Sequence, residues 1–178
     1  IYKRYLESLD DNKLFFLQSD ITRFDGYKFQ LDDAIKSKNL DPAYDVFKVY
    51  LQRLDQRIAF ARNELKQNFD FTAKESYLYD RKEAQWEKTE AELNAIWRQS
   101  VKNDVLRLKL AGRSMDEIRV TLDKRYSNTA ERVHQLRADD VFENFMNAYG
   151  SSIDPHTSYL SPRSADNFNM TMKLSLEG

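Results

Sequence analysis

The chain has no cysteine, which excludes disulfides, thiolate nucleophiles and cysteine-based zinc or iron–sulfur sites from it. That absence says little about compartment, because an oxidising space does not oblige a protein to form disulfides. Glycine and proline are scarce, four and three among 178 residues. A sandwich or barrel of many strands needs frequent turns, so the shortage disfavours both. No sign of charge dominates: 28 basic residues stand against 29 acidic ones, for a net charge of −1. Such a balance provides no global field to attract nucleic acid or an anionic membrane. The basic pairs Arg81-Lys82 and Lys124-Arg125 lie among acids and read as solvated helix faces. Long apolar runs are missing too. The longest, Leu14 to Leu17, falls far short of the roughly 20 residues of a membrane span. No signal peptide is visible, and the opening Ile1-Tyr2-Lys3-Arg4 reads as that of a processed or trimmed product.

What remains is 41% apolar and 32% charged, the mixture of a folded domain with one core. Apolar residues recur at helical spacing almost throughout. Leu6 and Leu9 close a short first helix, and Asp10-Asp11-Asn12 makes a turn. Ile21, Phe24, Tyr27, Leu31 and Ile35 line a second helix that starts near Ser19 or Asp20. At Asp41-Pro42 a third helix begins, with the carboxylate expected to cap it, and Phe47, Leu51, Leu54, Ile58, Ala61 and Leu65 face inward. Residues 68–84 read as an irregular connection. Thr89 and Glu92 have capping-box spacing ahead of Leu93, Trp97, Val101, Val105 and Leu108, a helix that stops at Gly112. Ser114 and Glu117 repeat the box before Met115, Ile118, Leu122, Tyr126, Val133 and Leu136. A last clear helix runs from about Asp139, with Val141, Phe142, Phe145, Met146 and Tyr149 inward, and ends near Gly150. Beyond it Asp154-Pro155 starts a turn, and Ser161-Pro162 looks like the cap and first residue of a short helix. Met172, Leu174 and Leu176 then alternate with polar residues, a strand signal. The expected fold is all-α: about six helices in a bundle, plus a short C-terminal β-strand. A lone strand leaves its backbone groups unpaired, so the chain reads as a fragment.

Constellations that could carry chemistry are few. Asp154, His156 and Ser158 include every residue type of a hydrolase triad, yet neighbours in an extended turn point apart, and no oxyanion-hole motif accompanies them. A rigid Asp-Pro turn is the better reading. Glu131 and His134 have the spacing of a carboxylate-bridged di-iron helix, but the required second copy is absent, since Ile153 precedes His156 by three. The pairs Asp10-Asp11, Asp32-Asp33 and Asp139-Asp140 are explained by helix capping and dipole compensation. No phosphate-binding loop can be built from four scattered glycines. Phe69, Phe71, Tyr77, Tyr79 and Trp86 cluster in sequence, and two uses stay open: filling the bundle core, or docking a neighbouring domain or protein. No catalytic, cofactor-binding or metal-binding residue is assigned.

Several segments resemble the tail-specific (C-terminal-processing) serine proteases: Tyr5-Leu6-Glu7-Ser8-Leu9-Asp10 with Leu14 to Asp20, Phe29 to Ile35, and Val101 to Asp104 with Leu106 to Gly112. Most specific is Ile153-Asp154-Pro155-His156-Thr157-Ser158-Tyr159-Leu160-Ser161-Pro162-Arg163, running on to Leu174-Ser175-Leu176-Glu177-Gly178. The resemblance implies the N-terminal helical region of a periplasmic endopeptidase that recognises apolar C-termini and cleaves with a serine nucleophile and a lysine base. Residues 1–152 are then the helical domain, and residues 153–178 the connector toward a PDZ domain and protease core. The family's serine and lysine fall outside this sequence, so the polypeptide by itself should be inert and require no cofactor. Its implied partners are the remainder of its own protease chain, protein substrates with apolar C-termini and an adaptor lipoprotein, with no nucleic acid among them. A stand-alone helical adaptor module is the alternative.

Overall fold

In the computed structural model, which describes residues 1–31 and 33–176, the chain forms eight α-helices and, among the described residues, no strand. In order they are α1 (Tyr2–Asp10), α2 (Gln18–Phe24), α3 (Ala34–Ser37), α4 (Asp41–Glu64), α5 (Glu90–Leu110), α6 (Met115–His134), α7 (Ala138–Ile153) and α8 (Pro162–Leu176). Asp32, Glu177 and Gly178 lie outside the described residues, so the reading of the Asp32-Asp33 pair is addressed only at Asp33, the N-cap residue of α3.

The longest helix, α4, is the spine. Its 24 residues extend about 36 Å at 1.5 Å per residue. Its first half contributes Ala43, Val46 and Val49 to a core shared with α1, α2 and α7, in which Tyr5, Phe16, Phe24 and Phe145 are fully buried. Tyr5 meets Phe145 edge to face at 5.5 Å, and its hydroxyl donates to the Ala43 carbonyl at 2.9 Å. The second half contributes Leu54, Ile58 and Ala61 to a three-helix core with α5 and α6, where Leu93, Val101, Val105, Ile118 and Leu122 are buried. Trp97 of α5 reaches back to the first loop, donating its indole N–H to the Leu14 carbonyl at 2.7 Å. Arg53 and Asp20 join α4 to α2 through a two-pronged ion pair at 2.8 and 3.0 Å.

Local chemistry sets the ends. Thr89 and Glu92 cap α5, and Ser114 and Glu117 cap α6, each as a reciprocal box. Gly112 follows α5 with φ +82, a backbone conformation that glycine adopts without the clash a side chain would meet.

Four sequence-based expectations are corrected. The second helix does not run on to Ile35: it stops at Phe24, passes through a 3-10 turn at Asp25–Tyr27 and resumes only as α3. Leu31 is fully buried while Ile35 is exposed, because Leu31 can enter the core only once the chain has left the helical path. The helix at Asp41-Pro42 begins there as expected, yet Asp41 occupies the first helical turn rather than the cap; Asn39 supplies the acceptor for the Asp41 amide. Helix α7 continues past Gly150 to Ile153. Finally, the terminal alternation at Met172, Leu174 and Leu176 belongs to α8 and not to a strand; the helix number exceeds six because α3 stands apart from α2 and the short helix expected at Ser161-Pro162 is the full α8. Five alternating residues are a short signal. Ser161 and Pro162 start a helix just upstream, and a helix bonds its own backbone where a lone strand cannot.

Candidate functional site

The triad-like stretch becomes a structural turn. Asp154 ends α7, and its two carboxylate oxygens accept from the His156 amide at 3.1 Å and the Thr157 hydroxyl at 2.9 Å. Among the described residues no hydrogen bond joins the His156 ring to Asp154 or Ser158, and all three residues are exposed.

From this turn the chain doubles back along α7 toward that helix's N-terminus. Gly150 permits a close approach: a β-carbon there would lie 3.2 Å from the Thr157 methyl. One turn earlier, Asn147 binds Tyr159 twice, accepting its amide at 2.8 Å and donating to its carbonyl at 3.1 Å, as a strand neighbour would. The Tyr159 ring packs edge-on against Phe142 at 5.4 Å. Glu143 then accepts the Ser161 amide at 3.2 Å and the Ser164 hydroxyl at 2.7 Å, so a carboxylate on α7 satisfies donors at the start of α8. Burial pushes the Glu143 carboxyl up, but the Ser161 and Ser164 donors outweigh it and leave it below the ordinary range. Arg163 closes the path on Asp140 at 2.6 Å. Four positions on one face of α7 therefore fix where α8 begins. Beyond them, the side chains from Asp166 to Lys173 are exposed, Phe168 and Met170 among them.

The family model for the tail specific protease N-terminal domain matches residues 1–163. A tail-specific protease of Haemophilus influenzae is 40% identical over 179 aligned positions, a span that takes in all of this chain and 26% of that protein. The chain belongs to the tail-specific protease family, as an N-terminal domain. It spans about a quarter of the length of the relative it matches.

In this tail-specific protease domain, the segment Asp154–Arg163 on which the resemblance rested most is the doubled-back strip. The sequence marks its turn through Asp-Pro, but its seat on α7 was missed. A glycine inside an apolar helical stripe was the available signal, and it read as a stop. The other candidates stay apart. His134 Nε2 lies 2.7 Å from Asp55 of α4 on the surface, and Glu131 is exposed. Among the described residues no group of three or more histidines and carboxylates is placed to hold a metal ion. Asp140 fills the N-terminal role expected of its pair, accepting the Arg137 amide at 2.8 Å. Asp10 does not act as a solvated cap; it is 2% exposed and accepts the amides of Leu14, Phe15 and Phe16. The aromatic cluster divides. Phe69 and Phe71 pack against the second core, Trp86 against the first, and Tyr79 stays exposed. No helix among the described residues is long and apolar enough to cross a membrane.

Proposed function

We propose that this chain is the non-catalytic N-terminal helical domain of a periplasmic serine endopeptidase that degrades or processes proteins recognised by their apolar C-termini. Residues 1–152 are the helical domain. Residues 153–178 are the connector toward a PDZ domain and a protease core, which carries the Ser/Lys dyad. The domain's task is architectural: it braces the protease core, contributes to the wall of the substrate chamber and offers a surface to an adaptor lipoprotein. The observation that carries this reading is the family match over residues 1–163, together with a protease relative in which the same stretch is 26% of the length. The clamped start of α8 agrees with it, since a rigid exit gives whatever follows a defined position.

A stand-alone adaptor gains one point from the structure, because a helical tail leaves no strand edge open. The relative's length favours the protease.

A chimera tests the proposal. In the Haemophilus influenzae relative, the matching quarter is replaced by this chain or deleted, and a reporter with an apolar C-terminal tail is the substrate. The replacement should keep tail-dependent cleavage and the deletion should lose it. Equal cleavage by both proteins would remove the architectural role.

A further inference from the structure

We propose that residues 74–80, with the adjoining face of α5, form a groove for an extended peptide that carries one apolar side chain and one acidic group. This inference is independent of the protease reading.

The segment Lys74–Asp80 runs without helix, turn or bend, so its backbone is extended. From Ser76 to Asp80 no backbone N–H or carbonyl has a hydrogen-bond partner among the described residues. All five residues except Tyr77 are exposed. Loose loops often share those features, but this segment is anchored. Glu75 pairs with Lys102 of α5 at 2.5 Å, the Tyr77 hydroxyl meets Ser100 at 3.3 Å, and the Arg81 amide donates to Asn12 at 3.0 Å. An open, fixed, extended backbone is a template on which another extended chain can pair.

Beside it lies an open cavity of about 140 Å³, lined by Phe71, Tyr77, Lys102, Asn103 and Leu106 among others. A ring-sized apolar group fills a space of that order. The Phe71 ring carries two ammonium groups, Lys102 at 5.9 Å and Lys109 at 4.7 Å. Glu75 compensates Lys102, whereas Lys109 has no carboxylate within ion-pair distance among the described residues. Lys109, over the Phe71 ring that lines the cavity, and Lys74, in the segment itself, are thus two cations with no carboxylate in ion-pair distance among the described residues, and they favour an acidic group on the occupant. Backbone pairing gives affinity, the cavity takes an apolar side chain, and Lys109 and Lys74 set the charge preference.

The probe is the peptide acetyl-Thr-Val-Thr-Leu-Thr-Glu-Thr-amide, titrated into the ¹⁵N-labelled chain. The amide signals of residues 76–80 should shift saturably, and their hydrogen exchange should slow. Methylating alternate backbone nitrogens of the peptide should weaken binding at least tenfold, a change that leaves the protein untouched. Lys109→Glu should weaken it about threefold, the size of an exposed ion pair, and favour a peptide with Lys in place of Glu. Any of three results overturns the proposal: no shift at millimolar peptide, affinity indifferent to N-methylation, or protection that grows with protein concentration alone, which would assign the edge to a second copy.

Discussion

The indole N–H of Trp86 donates to the carboxylate of Asp10 at 3.0 Å across 76 positions of sequence. The same carboxylate gathers the amides of Leu14, Phe15 and Phe16, and the Lys13 ammonium lies over the Trp86 ring while donating to the Lys82 carbonyl. The long connection between α4 and α5 is thereby tied to the loop after α1. Asp10→Ala strands several buried donors at once, so it should cost about 3 kcal/mol in urea unfolding. Trp86→Phe, which removes one donor, should cost about 1 kcal/mol. The double variant should lose less than the two costs added; strict additivity would mean that the pair does not interact.

Asp10 also gives the stability a pH dependence of known sign. Burial raises its carboxyl above the ordinary value of 3.8, against the pull of its four donors. The folded chain therefore holds a proton that the unfolded chain has already released. Its contribution to stability falls as pH rises from about 3.8 through the folded value. Comparing the native chain with Asp10→Asn across pH 3 to 8, the difference should move against the native chain as pH rises through that window. The opposite slope would show that the hydrogen bonds outweigh burial.

Gly150 and Thr157 make a paired prediction. Gly→Ala inside a helix ordinarily stabilises by about 1 kcal/mol. At Gly150 the added carbon meets the Thr157 methyl, which must give way. Gly150→Ala alone should therefore bring no gain, whereas in a Thr157→Ser background, where that methyl is gone, it should recover about 0.5 to 1 kcal/mol. Thermal unfolding of the four proteins reads this directly, and a full gain in the native background would remove the close-approach argument.

Because the described side chains of α8 from Asp166 to Lys173 are exposed, removing residues 166–178 should shift the midpoint of thermal unfolding by no more than about 2 °C. Removing residues 159–178 takes away the Asn147 and Glu143 contacts as well and should cost more. Equal losses would place the packing energy in α8 itself.

The sequence announces features whose cause is local. The Thr89/Glu92 and Ser114/Glu117 boxes need only four neighbouring residues to be legible, and the stripe from Leu93 to Val105 is buried as its spacing foretells. Features decided by tertiary partners stayed hidden. Asp10 looks like a solvated turn residue until Trp86 arrives from the far connection, and Gly150 looks like a terminus until Thr157 folds onto it. The terminal alternation misled for a related reason. Its strand reading underlay the sequence argument for a severed chain, and with α8 helical that argument falls. Membership of the protease family rests instead on the matched residues and the relative. No candidate in the sequence pointed to the clamp of Asn147 and Glu143, because an Asn and a Glu on a half-buried helix face look like ordinary surface.

The most direct test of the central claim is a peptidase assay on the isolated chain, run with a fluorophosphonate label and the tail-bearing reporter. A non-catalytic helical domain should take up no label and cleave no reporter while remaining folded by circular dichroism. Labelling at a serine of this chain, with turnover abolished by its replacement with alanine, would contradict the account.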